Sequence, residues 1–339
     1  ADAAGLLAAG AFRTLSKRGD GPVGAPESDD EDGPTLDPAW PLLEPIYDHF
    51  LSVVSSEELD TASAIHFIDC EFVKRLLEVF ATDDPRERYI LRRIIVRLHA
   101  TLVDRRPFIR LATLDMCRRA SAEAELQRGA ADLLDTLVQV SPSPASPLQD
   151  ELRDTFRGVL VPLYKAEGLG AFHPQLTAFL MRIVEREPPL ARDALASILR
   201  CWPCAGSAKQ VALLSDVEEL VRATPAEGLA ELRGPLLRRL AACIAHPHAD
   251  LALRALAMWR CQAFLEQVLQ SCDDQLPAVV GALYANARDH WRLEVQQRTC
   301  EVLRLLMEHA PRLFMASVQQ HQEEADEAAR QSAERERRW

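Results

Sequence analysis

The sequence predicts an all-α solenoid built from stacked helix pairs. Three observations support this prediction: a helix-forming composition, capped helix starts at regular spacing, and one apolar stripe on each predicted helix. At 339 residues the chain is too long for one ordinary hydrophobic core. It therefore forms either two domains or a repeat array, and the three observations favour the array.

The composition is that of packed helices. Apolar residues make up 48% of the chain and aromatic residues only 6%, with 14 glycines. Long stretches rich in Leu, Ala, Arg and Glu recur throughout, and these residues are strong helix formers. Such usage is not typical of β-sandwiches or β-barrels.

Capping sequences mark the predicted helix starts. The segment Asp84–Glu87 places an acceptor at the N-cap, Pro at the first helical position and Glu at the third, which satisfies two backbone amides at once. Ser146–Gln149 and Thr224–Glu227 repeat the pattern. The three starts lie about 60 and about 80 residues apart, which corresponds to about two units of a ~40-residue repeat containing one helix pair.

The predicted helices each carry one apolar stripe, with charged residues on the remaining surface. After Asp84 the stripe consists of Ile90, Leu91, Ile94, Ile95, Leu98 and Leu102. Two later stripes consist of Leu236, Leu237, Leu240, Ala241 and Ile244, and of Leu303, Leu306, Met307 and Ala310. Each stripe predicts a helix with one buried face, and only a neighbouring helix pair can cover that face.

Composition also predicts four segments. Residues 1–15 start the repeat array with its first helix, 16–37 form an acidic loop, 38–318 form the repeat solenoid, and 319–339 form a charged helical tail. The acidic side chains of the loop are Glu27, Asp29, Asp30, Glu31 and Asp32. The loop has too little apolar surface to order itself, so its simplest interpretation is a solvated loop. The alternative is an electrostatic arm for a basic surface.

The net charge restricts the classes of partner that we expect. Fifty-one acidic and 39 basic residues give a net charge of −12, which would repel nucleic acid and gives no general attraction to anionic lipid. No apolar stretch approaches the ~20 residues of a membrane span, and the first residues lack the basic region of a signal peptide. We therefore expect no nucleic-acid or membrane partner and a cytoplasmic or nuclear location. The chain begins without Met, which is typical of a fragment or trimmed form.

The eight cysteines are too sparse for a disulfide scaffold. Cys117, Cys243 and Cys300 lie among apolar helix residues, and we interpret them as reduced core side chains.

One cysteine pair has a spacing that could carry chemistry. Cys201 and Cys204 form a Cys-x-x-Cys segment, but a zinc site needs two further ligands. The nearest candidates, His246 and His248, lie about one repeat away, beside Pro247 at a predicted turn. Structural cysteines at a helix end are therefore favoured, and a thiol or zinc function is the alternative.

Enzymatic chemistry has little support in the sequence. We interpret His290 and Trp291 as a buried pair rather than as a catalytic base and its neighbour, because no nearby Ser or Cys completes a nucleophile-base-orienter set. No glycine-rich phosphate loop is present. We expect no catalytic activity, no cofactor and no metal.

Short strings along the whole chain occur in the same order in one known family. They are Phe12–Leu15, Pro34–Leu36, Trp40–Pro41, Phe67–Asp69, Asp84–Arg88, Phe108–Arg110, Phe172–Leu176, Trp202–Pro203, Arg254–Leu256 with Trp259, and His290–Trp291. By these strings the chain resembles the B-prime regulatory subunits of protein phosphatase 2A, and its charged tail has a counterpart there.

The resemblance implies a superhelical solenoid of HEAT-like repeats, with the amino-terminal repeats of the family absent from this sequence. Such a subunit joins a scaffolding subunit to a catalytic subunit and selects substrates, so the chemistry would belong to the partner. The resemblance also implies an acidic inner surface, consistent with the net charge, and an acidic loop near the catalytic subunit or the substrate path. The alternative is a stand-alone helical-repeat scaffold without a phosphatase.

Members of the family commonly capture short Leu-x-x-Ile-x-Glu peptides in a groove between repeats, using two apolar sockets and a basic clamp. The resemblance implies a groove formed here by Val96, Arg97, His99, Arg106, Arg110, Asp135, Thr136, Val140, Gln149 and Leu152. The three arginines keep the family's residues.

The other positions depart from the family in a way that predicts weaker or altered binding. Val96 and His99 replace a His and a Tyr, Thr136 replaces an Ile, and Gln149 and Leu152 replace a Lys and a His. A Thr136 hydroxyl without a partner would cost ~1–3 kcal/mol in an aliphatic socket. Loss of donors at 149 and 152 removes charge-assisted bonds of ~1.5–3 kcal/mol each. Even ~3 kcal/mol in total would weaken binding about a hundredfold.

Overall fold

The computed structural model of the chain describes residues 2–12, 36–141, 153–269 and 276–338. The chain forms two compact units, Ala1–Ile183 and Val184–Trp339. The described residues of both units contain helices and no β-strand, which confirms the all-α prediction.

The first unit is a series of short and medium helices. They are α1 (Asp2–Ala11), α2 (Trp40–Ser55), α3 (Thr61–Phe67), α4 (Cys70–Glu78), α5 (Pro85–Thr101), α6 (Arg106–Ala120), α7 (Ala124–Gln127) and α8 (Ala130–Val140). A π-helical turn, Phe156–Leu160, then leads into α9 (Val161–Leu163), and α10 (Leu169–Arg186) begins in this unit.

The second unit continues with the same kind of elements. They are α11 (Pro189–Arg200), α12 (Ser207–Ala223), α13 (Ala226–Leu229), α14 (Arg233–Ile244), α15 (Ala249–Met258), α16 (Gln262–Leu269), α17 (Leu276–Asp289), α18 (Leu293–His309) and α19 (Pro311–Arg338).

Helices of the first unit stack in rows, as the helix-pair prediction requires. Helix α5 packs between α2 and α8, and α4 packs against α6 in a second row. The Tyr47 hydroxyl donates to Glu87 Oε1 at 2.7 Å near the start of α5, and the Thr101 hydroxyl donates to the Val54 carbonyl at 3.3 Å near its end. Helices α2 and α5 therefore run parallel, with hydrogen-bonded partners 40 and 47 residues apart.

The same relationship joins α5 to α8. Arg88 Nε lies 2.9 Å from Asp132 Oδ2, and Arg92 Nη1 lies 2.8 Å from Asp135 Oδ2. These partners are 44 and 43 residues apart.

The second unit repeats this stacking. Arg254 of α15 donates to Ser215 Oγ at 3.1 Å and to Glu218 Oε2 at 2.6 Å, both on α12. The Asn286 amide of α17 donates to the Ile244 carbonyl of α14 at 2.5 Å. In both units, residues that contact each other across successive helices of a row thus lie about 40 positions apart in sequence, as the predicted repeat of ~40 residues requires.

The apolar stripes form the seam between stacked helices. All six residues of the α5 stripe and all five of the α14 stripe are buried, as predicted. The stripe predicted near the end is right only at Leu306, which is fully buried, because the Met307 side chain is 52% exposed and Leu303 and Ala310 are only partly buried. The buried face of helix α18 consists of Val295, Thr299, Val302 and Leu306. Its apolar residues surround much of the helix, so spacing alone does not identify the packed face.

The Asp84 cap forms, but with different partners from those predicted. Asp84 carboxylate oxygens accept from the backbone amides of Arg86 and Asp37, each at 2.9 Å. The Glu87 side chain, which a capping box would turn back to the Asp84 amide, instead accepts from Tyr47, while the Asp84 amide donates to Thr82 Oγ1 at 3.4 Å. One acidic cap therefore joins the start of α5 to the chain segment before α2.

The other two predicted starts have different outcomes. Thr224 is not an N-cap, because it ends α12, where its hydroxyl donates at 2.6 Å to the Leu220 carbonyl, and the cap position of α13 is Pro225. Pro225 precedes only a four-residue helix, α13. Ser146–Gln149 lies outside the described residues, as does most of the predicted acidic loop.

Candidate peptide-binding groove

The described groove residues lie on three helices of the first unit. They are Val96, Arg97 and His99 near the end of α5, Arg106 and Arg110 near the start of α6, and Asp135, Thr136 and Val140 on α8. Gln149 and Leu152 lie outside the described residues, as do Glu27, Asp29, Asp30, Glu31 and Asp32.

Arg106 is held at the turn that joins α5 to α6. Its Nε donates to the His99 carbonyl at 2.8 Å and its Nη2 to the Ala100 carbonyl at 2.9 Å. Carbonyls in the last turn of a helix have no partner within the helix and form the negative end of its dipole, so a guanidinium there stabilises the end of α5. Arg106 therefore stabilises the end of α5 and also carries a positive charge that can attract a ligand.

Arg97 makes an equivalent contact one repeat earlier. Its Nη2 donates to the carbonyl of Ser55, the last residue of α2, at 3.1 Å. Within the described part of the chain, neither Arg97 nor Arg106 lies within ion-pair distance of a carboxylate. Arg97, Arg106 and Arg110 place positive charge in this region of a protein whose net charge is −12, and we call these three residues together with His99 the basic lip.

His99 is the most perturbed member of the basic lip. Burial lowers its pKa, and the positive charges of Arg106 and Arg110 lower it further, to about 4. Its Nε2 atom is buried and has no hydrogen-bond partner among the described residues. At neutral pH the imidazole is consequently uncharged although its neighbours are cationic.

The α8 side of the groove is more enclosed than the resemblance implies. Thr136 and Val140 are fully buried, and the Thr136 hydroxyl donates to the Asp132 carbonyl of its own helix at 2.7 Å. The desolvation cost expected for a hydroxyl without a partner therefore does not arise. The Asp135 carboxylate is held by Arg92 at 2.8 Å, so α8 contributes an ion pair to this region.

Two exposed apolar residues flank the basic lip and are missing from the sequence-based set. Val103 and Leu111 are each 60% exposed, and they lie three residues before Arg106 and one residue after Arg110. Large apolar side chains left open beside cations suit a segment that carries both apolar and acidic residues. The only sequence signal for them was the placement of apolar residues next to the two arginines.

The residues considered for metal or thiol chemistry are dispersed. Cys204 is exposed and Cys201 partly buried, and both thiols are free. Within the described ranges, no three His, Cys, Asp or Glu side chains come together in a metal-binding arrangement. Cys117 and Cys243 are buried as predicted, and burial raises the pKa of Cys243 to about 11. Cys300 is exposed, so its assignment to the core was wrong.

The predicted buried pair at His290 and Trp291 is half wrong. His290 is buried, but the Trp291 side chain is 72% exposed. The indole stacks on His290 with ring centroids 5.8 Å apart, and its Nε1 donates to the Pro247 carbonyl at 2.9 Å. This contact ties the turn before α18 to the turn before α15, which explains the conformation of Trp291 without any catalytic role.

The second unit contains a concavity that sequence reasoning missed. It encloses about 330 Å³ between α15 and α18, with Leu253, Leu256 and Leu305 among its apolar lining residues. Arg298 on its rim pairs with Glu301 at 3.0 Å.

In the described parts of the chain, no helix is both long enough and apolar enough to cross a membrane.

Comparisons with known proteins agree over the whole chain. The model of the family described as protein phosphatase 2A regulatory B subunit (B56 family) matches residues 4–339. The chain is 32% identical over 338 residues to the delta isoform of the rabbit (Oryctolagus cuniculus) serine/threonine-protein phosphatase 2A 56 kDa regulatory subunit, covering 100% of this chain and 58% of that protein. It is 34% identical over 336 residues to the eta isoform of the Arabidopsis thaliana 59 kDa B' regulatory subunit, covering 98% and 66%. Identity to the mouse (Mus musculus) alpha isoform is 30% over 334 residues, covering 98% and 68%. The chain thus spans between just over half and about two thirds of the length of these relatives.

Proposed function

Since this chain belongs to the B56 family of protein phosphatase 2A regulatory B subunits, we propose that it is a non-catalytic regulatory subunit of a serine/threonine phosphatase holoenzyme. In this role it binds a scaffolding subunit and a catalytic subunit and selects the substrates that reach the active site. The observation that carries the proposal is the family match, which extends over residues 4–339.

The stacked repeats support this role physically. Parallel rows of helices, joined by contacts 40 to 47 residues apart in the first unit, give an extended surface on which partner proteins can dock. Rigid repeats hold such a surface in a fixed shape, so binding requires little ordering of the subunit. We propose that residues 38–318 supply this surface, with 319–339 as a charged helical tail.

We also propose that the basic lip captures acidic, apolar segments of substrate proteins. Arg97 and Arg106 have no carboxylate partner among the described residues, and three apolar residues close to the lip arginines in sequence are partly or well exposed: Val96, Val103 and Leu111. Because Thr136 and Val140 are enclosed, we expect a Leu-x-x-Ile-x-Glu peptide to bind weakly or in an altered register. Binding with micromolar affinity that Arg106→Ala abolishes would contradict the expectation of a degraded groove.

The acidic segment Glu27–Asp32 has a separate proposed role as an electrostatic arm for a basic surface of the holoenzyme. Reversal of its charges should loosen assembly at low ionic strength and matter less at high ionic strength, because salt screens exposed charges. If assembly is unchanged at both ionic strengths, the segment is only a solvated loop.

We place the protein in the cytoplasm or nucleus, where the phosphatase partners would be met.

The alternative is a helical-repeat scaffold that does not associate with the phosphatase. Co-elution separates the two functions: purified chain is mixed with purified scaffolding and catalytic subunits and applied to a size-exclusion column. The proposal predicts one peak containing all three proteins. Elution of the chain by itself, with the other two subunits associated, would favour the alternative.

A further inference from the structure

We infer that the concavity of about 330 Å³ between α15 and α18 is a second docking groove, separate from the basic lip. It takes an extended segment of a partner protein that carries two aliphatic side chains and one carboxylate, and the carboxylate binds Arg260, which follows the end of α15. The inference goes beyond the proposed function, because it concerns the second unit alone and requires neither the basic lip nor the phosphatase subunits.

The groove is formed by one face of each of two neighbouring helices. Helices α15 and α18 pack against each other and begin at the same end, because Arg292, the cap residue of α18, lies 3.4 Å from Asp250 in the first turn of α15. The residues that the α15 side contributes have the i, i+3, i+4, i+7 spacing of a single helical face. They are Leu253, Leu256, Ala257 and Arg260.

The charges along the groove leave one cation without a partner. Glu294 pairs with Arg292 at 3.1 Å, and Arg298 pairs with Glu301 at 3.0 Å, so both carboxylates on the α18 side are already neutralised. The Arg260 side chain is exposed, and within the described ranges it has no ion pair and no side-chain hydrogen bond. An unpaired guanidinium beside apolar surface favours a carboxylate, which it can bind through two parallel hydrogen bonds.

The preceding junction of the same row shows how such a groove can be closed. Between α12 and α15, Arg254 donates to Glu218 Oε2 at 2.6 Å, so a pair of long side chains bridges the two helices. The pairs on the α18 side do not cross to α15, and the smallest lining side chain is the exposed methyl group of Ala257. Leu253 and Leu305 consequently remain partly exposed along the floor. Apolar surface rimmed by charged groups is typical of an interaction site.

The dimensions and openness of the groove favour a polypeptide in extended conformation. At 1.5 Å per residue, the α15 face from Leu253 to Arg260 is about 10 Å long. Alternate side chains of an extended segment point the same way and lie about 6–7 Å apart, so a Leu-x-Leu-x-Glu pattern in either chain direction spans about 13 Å. The long Arg260 side chain can cover the difference. Small ligands are usually enclosed over roughly 70–90% of their surface, whereas the rim residues here are exposed.

Fluorescence anisotropy with labelled peptides tests the inference. Leu-Ser-Leu-Ser-Glu and the reversed Glu-Ser-Leu-Ser-Leu, both with capped ends, are titrated with the full chain. We expect saturable binding of at least one peptide below ~1 mM, and at least tenfold weaker binding when its Glu is replaced by Lys. If neither peptide saturates up to ~1 mM, or if the Lys peptide binds equally well, the inference is wrong.

A charge exchange at Arg260 gives a result that loss of stability cannot imitate. Arg260→Glu should weaken binding of the Glu peptide at least tenfold and strengthen binding of the Lys peptide, because the sign of the clamp is reversed. Arg304→Glu is the matched control, since Arg304 is an exposed arginine of α18 that does not line the groove. Its effect on either peptide should stay within about twofold. An unchanged preference in Arg260→Glu would exclude the proposed clamp.

Filling the groove tests the apolar floor. Ala257→Phe places a ring between the two helices and should weaken binding of the Glu peptide at least tenfold. Ala242→Phe, at an exposed alanine of α14, should have no effect beyond about twofold. Equal binding by wild type and Ala257→Phe would contradict docking at this position.

Two further measurements identify the occupant and the site. Arg106→Ala should leave binding of these peptides unchanged, and its loss in that variant would place them on the basic lip instead. Size-exclusion chromatography should show a monomer at the assay concentration. A dimer that Ala257→Phe converts to a monomer would assign the groove to a second copy of the chain and overturn the inference. None of these results depends on co-elution with the phosphatase subunits, so the inference and the proposed regulatory role can fail separately.

Discussion

Tyr47 and Glu87, forty residues apart in sequence, share a 2.7 Å hydrogen bond in which both side chains are completely buried. The bond joins two parallel helices of successive repeats, α2 and α5. A polar contact that is both buried and satisfied fixes the register of stacked helices more strictly than apolar contacts alone, because a slip would leave a buried polar group without its partner.

Replacing Tyr47 by Phe tests this contact. The aromatic ring still fills its site, but the hydroxyl donor to Glu87 is lost, and we expect unfolding free energy to fall by about 1–3 kcal/mol. Urea denaturation followed by circular dichroism measures the change. Tyr89→Phe is the matched control, because Tyr89 is 52% exposed, and its effect should stay within about 0.5 kcal/mol. Equal effects of the two changes would show that the buried bond contributes nothing specific.

The environment of the Asp84 carboxyl group predicts that the free energy of unfolding depends on pH. Burial raises its pKa, but hydrogen bonds from the Arg86 side chain and from the amides of Asp37 and Arg86 outweigh burial and lower it to about 2. A carboxyl group whose folded pKa lies below its unfolded value of ~3.9 stabilises the fold above that value and loses the effect as pH falls through about 2. The shift corresponds to about 2 kcal/mol.

Asp84→Asn should therefore lower the unfolding free energy at pH ~7 by about 2 kcal/mol, and the difference from wild type should shrink between pH ~4 and ~2. Chemical denaturation across this pH range measures the difference. Asp115→Asn changes the same charge at a side chain that is 57% exposed, and it should leave stability almost unchanged. A deficit for Asp84→Asn that stays constant down to the acid end of the range would contradict the cap.

Gly129 is predicted to be irreplaceable for steric reasons. A Cβ atom at this residue, which precedes α8, would overlap the carbonyl oxygen of Phe80. Gly129→Ala should lower the melting temperature, with a cost of about 1–3 kcal/mol from the forced shift of backbone. Gly170→Ala is the control, because a Cβ there meets nothing within 4 Å and alanine favours helix. A Gly129→Ala protein as stable as wild type would refute the overlap.

Thr136 distinguishes the observed packing from the groove expected by resemblance. Because this side chain is fully buried, restoring the family's Ile should overpack α8 and lower the unfolding free energy by about 1–3 kcal/mol. Peptide affinity, measured by fluorescence anisotropy, should change by less than about threefold because the side chain does not reach the ligand. Thr136→Val, which keeps the shape, is the control. A tenfold gain in affinity for Thr136→Ile would show that the socket is open to the peptide.

The features that periodicity and capping chemistry determine locally were predictable from the sequence. The α5 stripe and the Asp84 acceptor follow from residues within one or two helical turns, and both are present. Contacts with distant residues were not predictable in this way. Glu87 accepts from Tyr47 rather than completing a capping box, and the Trp291 indole reaches the Pro247 carbonyl across 44 residues.

In the candidate groove, too, some features were predictable before the structure and others were not. The resemblance supplied the positions of the basic lip, and the structure brings Arg106 and Arg110 close to His99. Alignment could not show that the Thr136 hydroxyl has a partner within its own helix, or that Val103 and Leu111 stay exposed beside the lip. Burial depends on how neighbouring repeats pack, which a single sequence does not specify.

Phosphate release tests the central claim most directly. The purified chain is assayed alone and after addition of the scaffolding and catalytic subunits, on two phosphopeptides that differ only in carrying an acidic, apolar docking segment. The regulatory role predicts no release by the chain alone, and faster release from the peptide with the docking segment once the chain joins the other two subunits. Release by the chain alone, or equal rates on both peptides with and without it, would contradict the account.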